Sequence, residues 1–133
     1  MKLVVAYLAI AGTFLVLDLL WLGVVASGFY RSELGPLMAT SINLPAAVGF
    51  YILYTIGVLI FVVAPALESG GWTRAMMMGA LFGLVAYATY DLTNLAVMRG
   101  FPASVAFVDM AWGTVATALV SCVAVVVADW LFP

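Results

Sequence analysis

Charge is scarce in this chain. Only 8% of its residues are charged and 68% are hydrophobic, whereas a soluble domain carries about 25% charged residues. A soluble fold this apolar would have too few polar groups to cover its surface, so the bilayer must be its solvent. Histidine is absent and cysteine occurs once, as Cys122. One chain therefore lacks the common zinc ligand sets and has no internal disulfide. The net charge is −2, with no basic run to neutralise phosphates, which argues against nucleic acid as a partner. No hydrolase nucleophile motif and no cofactor fingerprint stands out, so no cofactor is named.

What the chain has is long apolar runs. A membrane-spanning helix needs roughly 20 predominantly apolar residues, and four segments qualify: 3–27, 44–66, 75–97 and 103–131. The first is too long for the apolar region of a signal peptide, and it carries Asp18 and Trp21. The expected fold is an all-α integral membrane bundle of four transmembrane helices, forming one domain over residues 1–133. Turn chemistry separates the segments at 28–36, 68–71 and 98–102. The last two links are short and make consecutive helices antiparallel neighbours. The first link reaches to about Pro45 and is long enough to fold over the mouth of the bundle. Lys2 and Arg74 fall on one side of the membrane, Arg31 and Arg99 on the other, so the positive-inside rule leaves the orientation open.

Small residues recur at helical spacing in Gly79-xxx-Gly83, Gly23-xxx-Ser27 and Gly113-xxx-Thr117-xxx-Ser121. Such stripes let helices approach closely in lipid. They predict a tight bundle and would also serve a homo-oligomer.

The chemistry-bearing residues are Asp18, Asp91 and Asp109, each inside an apolar segment with no Lys or Arg at matching depth. An acid there costs several kcal/mol and needs protonation, a bound cation or a hydrogen-bonded polar pocket. At about 1.5 Å per residue, Asp18 lies ~15 Å from the first link, and Asp91 and Asp109 each lie ~10 Å from the third. All three thus belong to the same half of the bilayer. Helical phase adds Tyr7, Phe14 and Trp21 to the Asp18 face. It adds Gly83, Tyr87 and Asn94 to the Asp91 face, and Trp112 and Ala116 to the Asp109 face. Asn43, Tyr51 and Tyr54 of the second segment lie in the same half. One polar cavity holding all three acids is the expectation. Asp91, beside Tyr90 and Asn94, is the candidate acid or base. Asp18 and Asp109 would orient it or share a magnesium- or manganese-type ion with it. Trp21, Trp112, Asn94, Tyr51, Tyr87 and Tyr90 are the candidate ligand-binding side chains. Arg31 at the mouth would pair with Glu33 or hold a lipid phosphate, as would Arg99.

Each residue also has a plainer role. A buried Asp can pin neighbouring helices through hydrogen bonds to Thr93, Asn94, Tyr or Trp. Trp21 and Trp112 can be packing aromatics, and Tyr30 and Trp72 interfacial belt residues. Glu68, Asp129 and Trp130 read as solvated ends. Segments 14–24 and 106–115 share Asp-x-x-Trp with a Gly close behind. The two helices run antiparallel and neither flank extends the match, so it reads as common local chemistry rather than a repeat.

At these motifs the chain resembles a family of small bacterial membrane proteins catalogued as domain of unknown function 2177. The resemblance rests on Asp18-Leu-Leu-Trp21-Leu-Gly23, Phe29-Tyr30-Arg31-Ser32-Glu33-Leu34-Gly35-Pro36-Leu37, Phe50-Tyr51-Ile-Leu-Tyr54, Tyr90-Asp91-Leu-Thr93-Asn94-Leu-Ala96 and Asp109-Met-Ala-Trp112-Gly113-Thr114. It covers nearly the whole chain and implies a four-helix, multi-pass protein of the bacterial inner (plasma) membrane, without implying an activity. Three readings stay open. The first is binding or modification of a lipid-like substrate, since carboxylates in an apolar pocket suit proton transfer. The second is proton-coupled transport of a small cationic or apolar compound. The third is a structural or regulatory subunit whose acids engage a partner helix.

Overall fold

In a computed structural model of the protein, which describes all residues 1–133, every regular element is helical. Four helices are long and apolar enough to cross a membrane: Lys2–Val25, Leu44–Glu68, Gly71–Val97 and Ala103–Leu131. The first comprises α1 (Lys2–Leu20) and a wide, π-helical turn, Trp21–Val25. A short helix, α2 (Ser27–Leu34), and a 3-10 turn, Gly35–Leu37, follow it. The second span is α3 (Leu44–Val58), a π-helical turn at Leu59–Val63, and α4 (Ala64–Glu68). The third and fourth are α5 (Gly71–Val97) and α6 (Ala103–Leu131).

Local chemistry accounts for several of these boundaries. The Asn43 side chain accepts the Ala46 N–H at 3.2 Å and Pro45 occupies the first turn, so α3 starts there. Pro65 has no N–H to give to the ladder, and the helix widens over Leu59–Val63 just ahead of it. Gly70, at φ 91°, makes the left-handed turn between α4 and α5. Arg74 ties that turn together by donating from Nη1 to Ser69 Oγ at 2.7 Å. The third span therefore begins at Gly71, four residues before the position expected from hydropathy.

α6 is the axis of the bundle. It carries buried residues from Val105 to Ala128 and packs on both α5 and α1. Against α5 the approach is very close. A Cβ added to Gly83 would lie 2.2 Å from the Gly113 carbonyl oxygen, one on Gly79 would lie 2.6 Å from Ser121 Oγ, and one on Gly113 would lie 2.2 Å from the Tyr87 ring. The stripes in α5 and α6 are thus one seam. Gly23 has nothing near its Cα and takes no part in packing. Lipid chains are as apolar as Leu, so this seam is held by van der Waals contact rather than by a hydrophobic driving force.

Ala6, Ile10 and Phe14 of α1 meet Tyr54 and Val58 of α3, Val62, Val63 and Ala66 beyond it, and Val120, Ala124 and Ala128 of α6. Polar pins cross this core. Tyr54 Oη and Thr117 Oγ1 are 2.6 Å apart, Tyr7 Oη and Thr55 Oγ1 are 3.2 Å apart, and the Tyr51 hydroxyl donates to the Ala11 carbonyl. Interhelical bonds of this kind contribute about 0.6 kcal/mol each in a membrane.

The bundle is closed at the α4 end and open at the other. Residues 35–50 are all exposed, including the first two turns of α3. The stretch expected as a loop at 28–36 is largely helix α2. Ala26 and Tyr30 bury themselves with Phe101, Val105 and Ala106, with Phe29 and Leu34 alongside. α2 thereby covers the end of α6 rather than α3.

Candidate functional site

The two Asp-x-x-Trp segments of α1 and α6 interlock. Trp112 Nε1 donates to Asp18 Oδ1 at 3.3 Å, so the α6 indole serves the α1 acid. In the other direction Trp21 Nε1 donates to the Tyr30 hydroxyl at 3.2 Å, and that hydroxyl donates to Asp109 Oδ1 at 2.8 Å. Between these paths the indoles of Trp21 and Trp112 lie stacked, centroids 4.4 Å apart and planes 3° from parallel. The antiparallel direction of α1 and α6 is what permits the exchange, since each motif then meets the other head to tail. What reads in sequence as a coincidence is the centre of the site. The π-helical turn begins at Trp21, and Ala26 N–H bonds to the Trp21 carbonyl at 2.7 Å. The turn ends α1 close enough to α2 for Tyr30 to reach back to Trp21.

Tyr30 was expected at the membrane interface as a belt residue. It is instead 9% exposed, at the junction of three elements. Burial pushes its hydroxyl above the usual phenol range, the Trp21 N–H opposes that rise, and the nearby Asp109 adds to it. It remains a proton donor at neutral pH. The signal was present in the sequence: Ala26, Tyr30 and Leu34 recur every four residues, the spacing of one helix face.

The three acids have three different surroundings. A cleft of about 520 Å³ between α1 and α3 is lined by Asp18, Trp21, Tyr51, Tyr87, Asp109 and Trp112, with apolar side chains over most of the rest. A second crevice, about 440 Å³, is lined by Phe50, Ala86, Tyr87, Tyr90 and Asp109. Asp109 thus lies at the base of both, and Asp18 in the first. Asp91 opens on neither. It is 0% exposed and both its carboxyl oxygens lack a hydrogen-bond partner. The α5–α6 register explains its place: Gly79 meets Ser121, Gly83 meets Thr117 and Tyr87 meets Gly113. One further turn sets Asp91 against Asp109, whose side chain is within interaction range. The single cavity expected for all three acids is therefore a cleft with two, and a third closed off behind Asp109. The three do not form a group that could share one metal ion.

The remaining candidates divide. Tyr51 and Tyr87 line the first cleft, and Tyr90, 60% exposed, lines the second. Asn94 makes no hydrogen bond to Asp91. Arg31 and Arg99 are exposed and pair with no acid. Glu33 instead accepts the Ser104 hydroxyl at 2.5 Å. Ser104 lies in the first turn of α6, which packs against α2, and so reaches Glu33. The ion pair that does form, Lys2 with Asp129 at 2.8 Å, sits at the far end of the bundle.

Four apolar spans, with polar side chains turned toward one another inside the bundle, define a multi-pass membrane protein. A family model described as "Predicted membrane protein (DUF2177)" matches residues 3–126, and the chain belongs to that family. No curated protein and no solved structure matches it.

Proposed function

We propose that the protein binds a lipid-like amphiphile in the cleft between α1 and α3, with Asp18 and Asp109 at its polar end. The observation that carries this reading is the combination of a largely apolar lining, a volume of about 520 Å³ and two carboxyl groups in the same wall. That volume lies within the usual range for ligand sites, which are apolar with a few placed polar groups. The exposed first half of α3 lets a chain enter sideways from the bilayer, while Tyr30 and α2 cover the end of α6. The setting is the inner membrane of a bacterial cell. Modification of the bound molecule fits the same site, with Asp109 as the acid or base because it is the one of the three acids that faces both crevices.

A second reading, proton-coupled transport, is favoured by one observation: Asp91 stands against Asp109 with no other partner, an arrangement that suits passing a proton. The test of binding is native mass spectrometry of the full chain released from nanodiscs. Wild-type protein should retain lipid-sized adducts, and Ala47→Trp, which fills the cleft from an exposed wall position, should lose them. Equal retention in both proteins would leave a structural subunit as the better description.

A further inference from the structure

The cleft offers hydrogen-bond acceptors and has almost no donors left. Asp18 receives the Trp112 N–H and Asp109 receives the Tyr30 hydroxyl, each on Oδ1. Nothing in the fold donates to the Oδ2 atom of either carboxyl group. Neither Oδ2 is sealed in protein, since the enclosed oxygens without partners belong to Asp91 and Ser121. Both atoms are therefore without a protein donor on residues that line the cleft, and the Asp109 carboxyl also stands against Asp91. Most local donors are already used, the Trp21 N–H on Tyr30 and the Tyr51 hydroxyl on Ala11, which leaves the Tyr87 hydroxyl as the uncommitted donor in the lining. No Lys or Arg lines the cleft. Behind Asp109 stands Asp91, fully buried, with two more oxygens that find no donor. The polar end is thus short of both protons and positive charge.

Accepting the reading that the cleft holds an amphiphile, we infer that its head is an ammonium group bearing N–H donors, carried on a hydrocarbon chain. The nitrogen reaches the free oxygens of Asp18 and Asp109, and the chain lies along Leu15, Leu19, Leu22 and Val48. Charge-assisted hydrogen bonds to two carboxylates supply what the site lacks. The ring faces of Trp112, Tyr87 and Phe50 suit a cation rather than an anion. A phosphate head would meet two acids and no base. A hydroxyl head would provide one donor and no charge.

The experiment uses the full chain in phosphatidylcholine nanodiscs, which present no competing N–H ammonium. Four probes share a twelve-carbon chain: dodecylamine, dodecyltrimethylammonium, dodecanol and dodecanoate. Binding is read from tryptophan fluorescence in a chain carrying Trp72→Phe and Trp130→Phe, which leaves Trp21 and Trp112 as its indoles. Dodecylamine should bind about tenfold more tightly than dodecanol, and dodecanoate should be weakest. Asp18→Asn and Asp109→Asn should each reduce that preference for the amine over the alcohol. Equal affinity for amine and alcohol overturns the inference and leaves the amphiphile reading standing. Equal affinity for amine and trimethylammonium overturns the requirement for N–H donors. If no probe binds, the amphiphile reading itself fails. The wild-type series decides these outcomes even if an Asn variant does not fold.

Discussion

α6 meets its two neighbours in different ways. Toward α5 it presents Gly113, Thr117 and Ser121, and at Gly83 and Gly79 the α5 backbone comes within reach of α6 carbonyls, with no room for a methyl group between them. Toward α1 and α3, at the Asp109 end, it presents Trp112 and meets stacked rings and an open cleft. One face is a dry seam that sets the register of the helices. The other is polar, aromatic and accessible. Asp91 lies in the seam, Asp18 in the cleft, and Asp109 at the line between them. The contrast shows how a small bundle can hold acids in a membrane: a rigid pair of helices fixes their positions, and a loosely attached third helix leaves room beside them.

The seam can be broken most directly at Gly83. A methyl group there would meet a backbone carbonyl, which has nowhere to move. Gly83→Ala should cost about 3 kcal/mol, read as a lower midpoint in thermal or denaturant unfolding. Tyr30→Phe comes next. It removes the donor to Asp109 and the acceptor for Trp21, at about 2 kcal/mol by the same measurement. It also gives a pH test. Folding raises the Tyr30 value above that of the unfolded phenol, near 10. Its contribution is thus complete below pH about 10 and lost as pH climbs through the folded value. The advantage of wild type over Tyr30→Phe should shrink above pH ~10 and hold steady below it. A constant difference up to pH ~12 would show that the hydroxyl is not buried.

Asp91→Asn should work in the opposite direction. The amide is uncharged and its N–H can donate to the Asp109 carboxyl beside it, where the acid has no partner, so stability should rise by about 1 kcal/mol. A fall instead would mean that a cation is bound against the carboxylate. The smallest effect belongs to the open face. Gly49→Ala adds a methyl group with nothing within 4 Å, so its midpoint should not fall, and any rise should stay under about 1 kcal/mol, the helix preference of Ala over Gly. A large loss there would show that the first half of α3 packs against something in the membrane.

The spans and the shared depth of the acids were legible because both follow from helix length and rise per residue. The α5–α6 seam was legible too, since small residues four apart can serve few other ends in lipid. The remaining stripe was less legible. Gly23 has the same spacing as Gly79 and faces open space. In water an apolar stripe marks the core, but here lipid-facing and core-facing residues are both apolar. Periodicity therefore cannot tell α1's packed face of Ala6, Ile10 and Phe14 from its exposed Leu8, Leu15 and Leu19.

By itself the sequence determined that this chain has four membrane-spanning helices and that its three intrahelical acids fall toward the same end of the bundle. Those are consequences of local composition and helix geometry, which need no partner. The tertiary structure alone decided that Asp18 and Asp109 exchange partners through stacked indoles, that Tyr30 folds back onto Asp109, and that Asp91 is shut behind it. Each of these depends on the rotation of one helix relative to another. In lipid that rotation is chosen by close van der Waals fit and by finding a partner for every buried polar group.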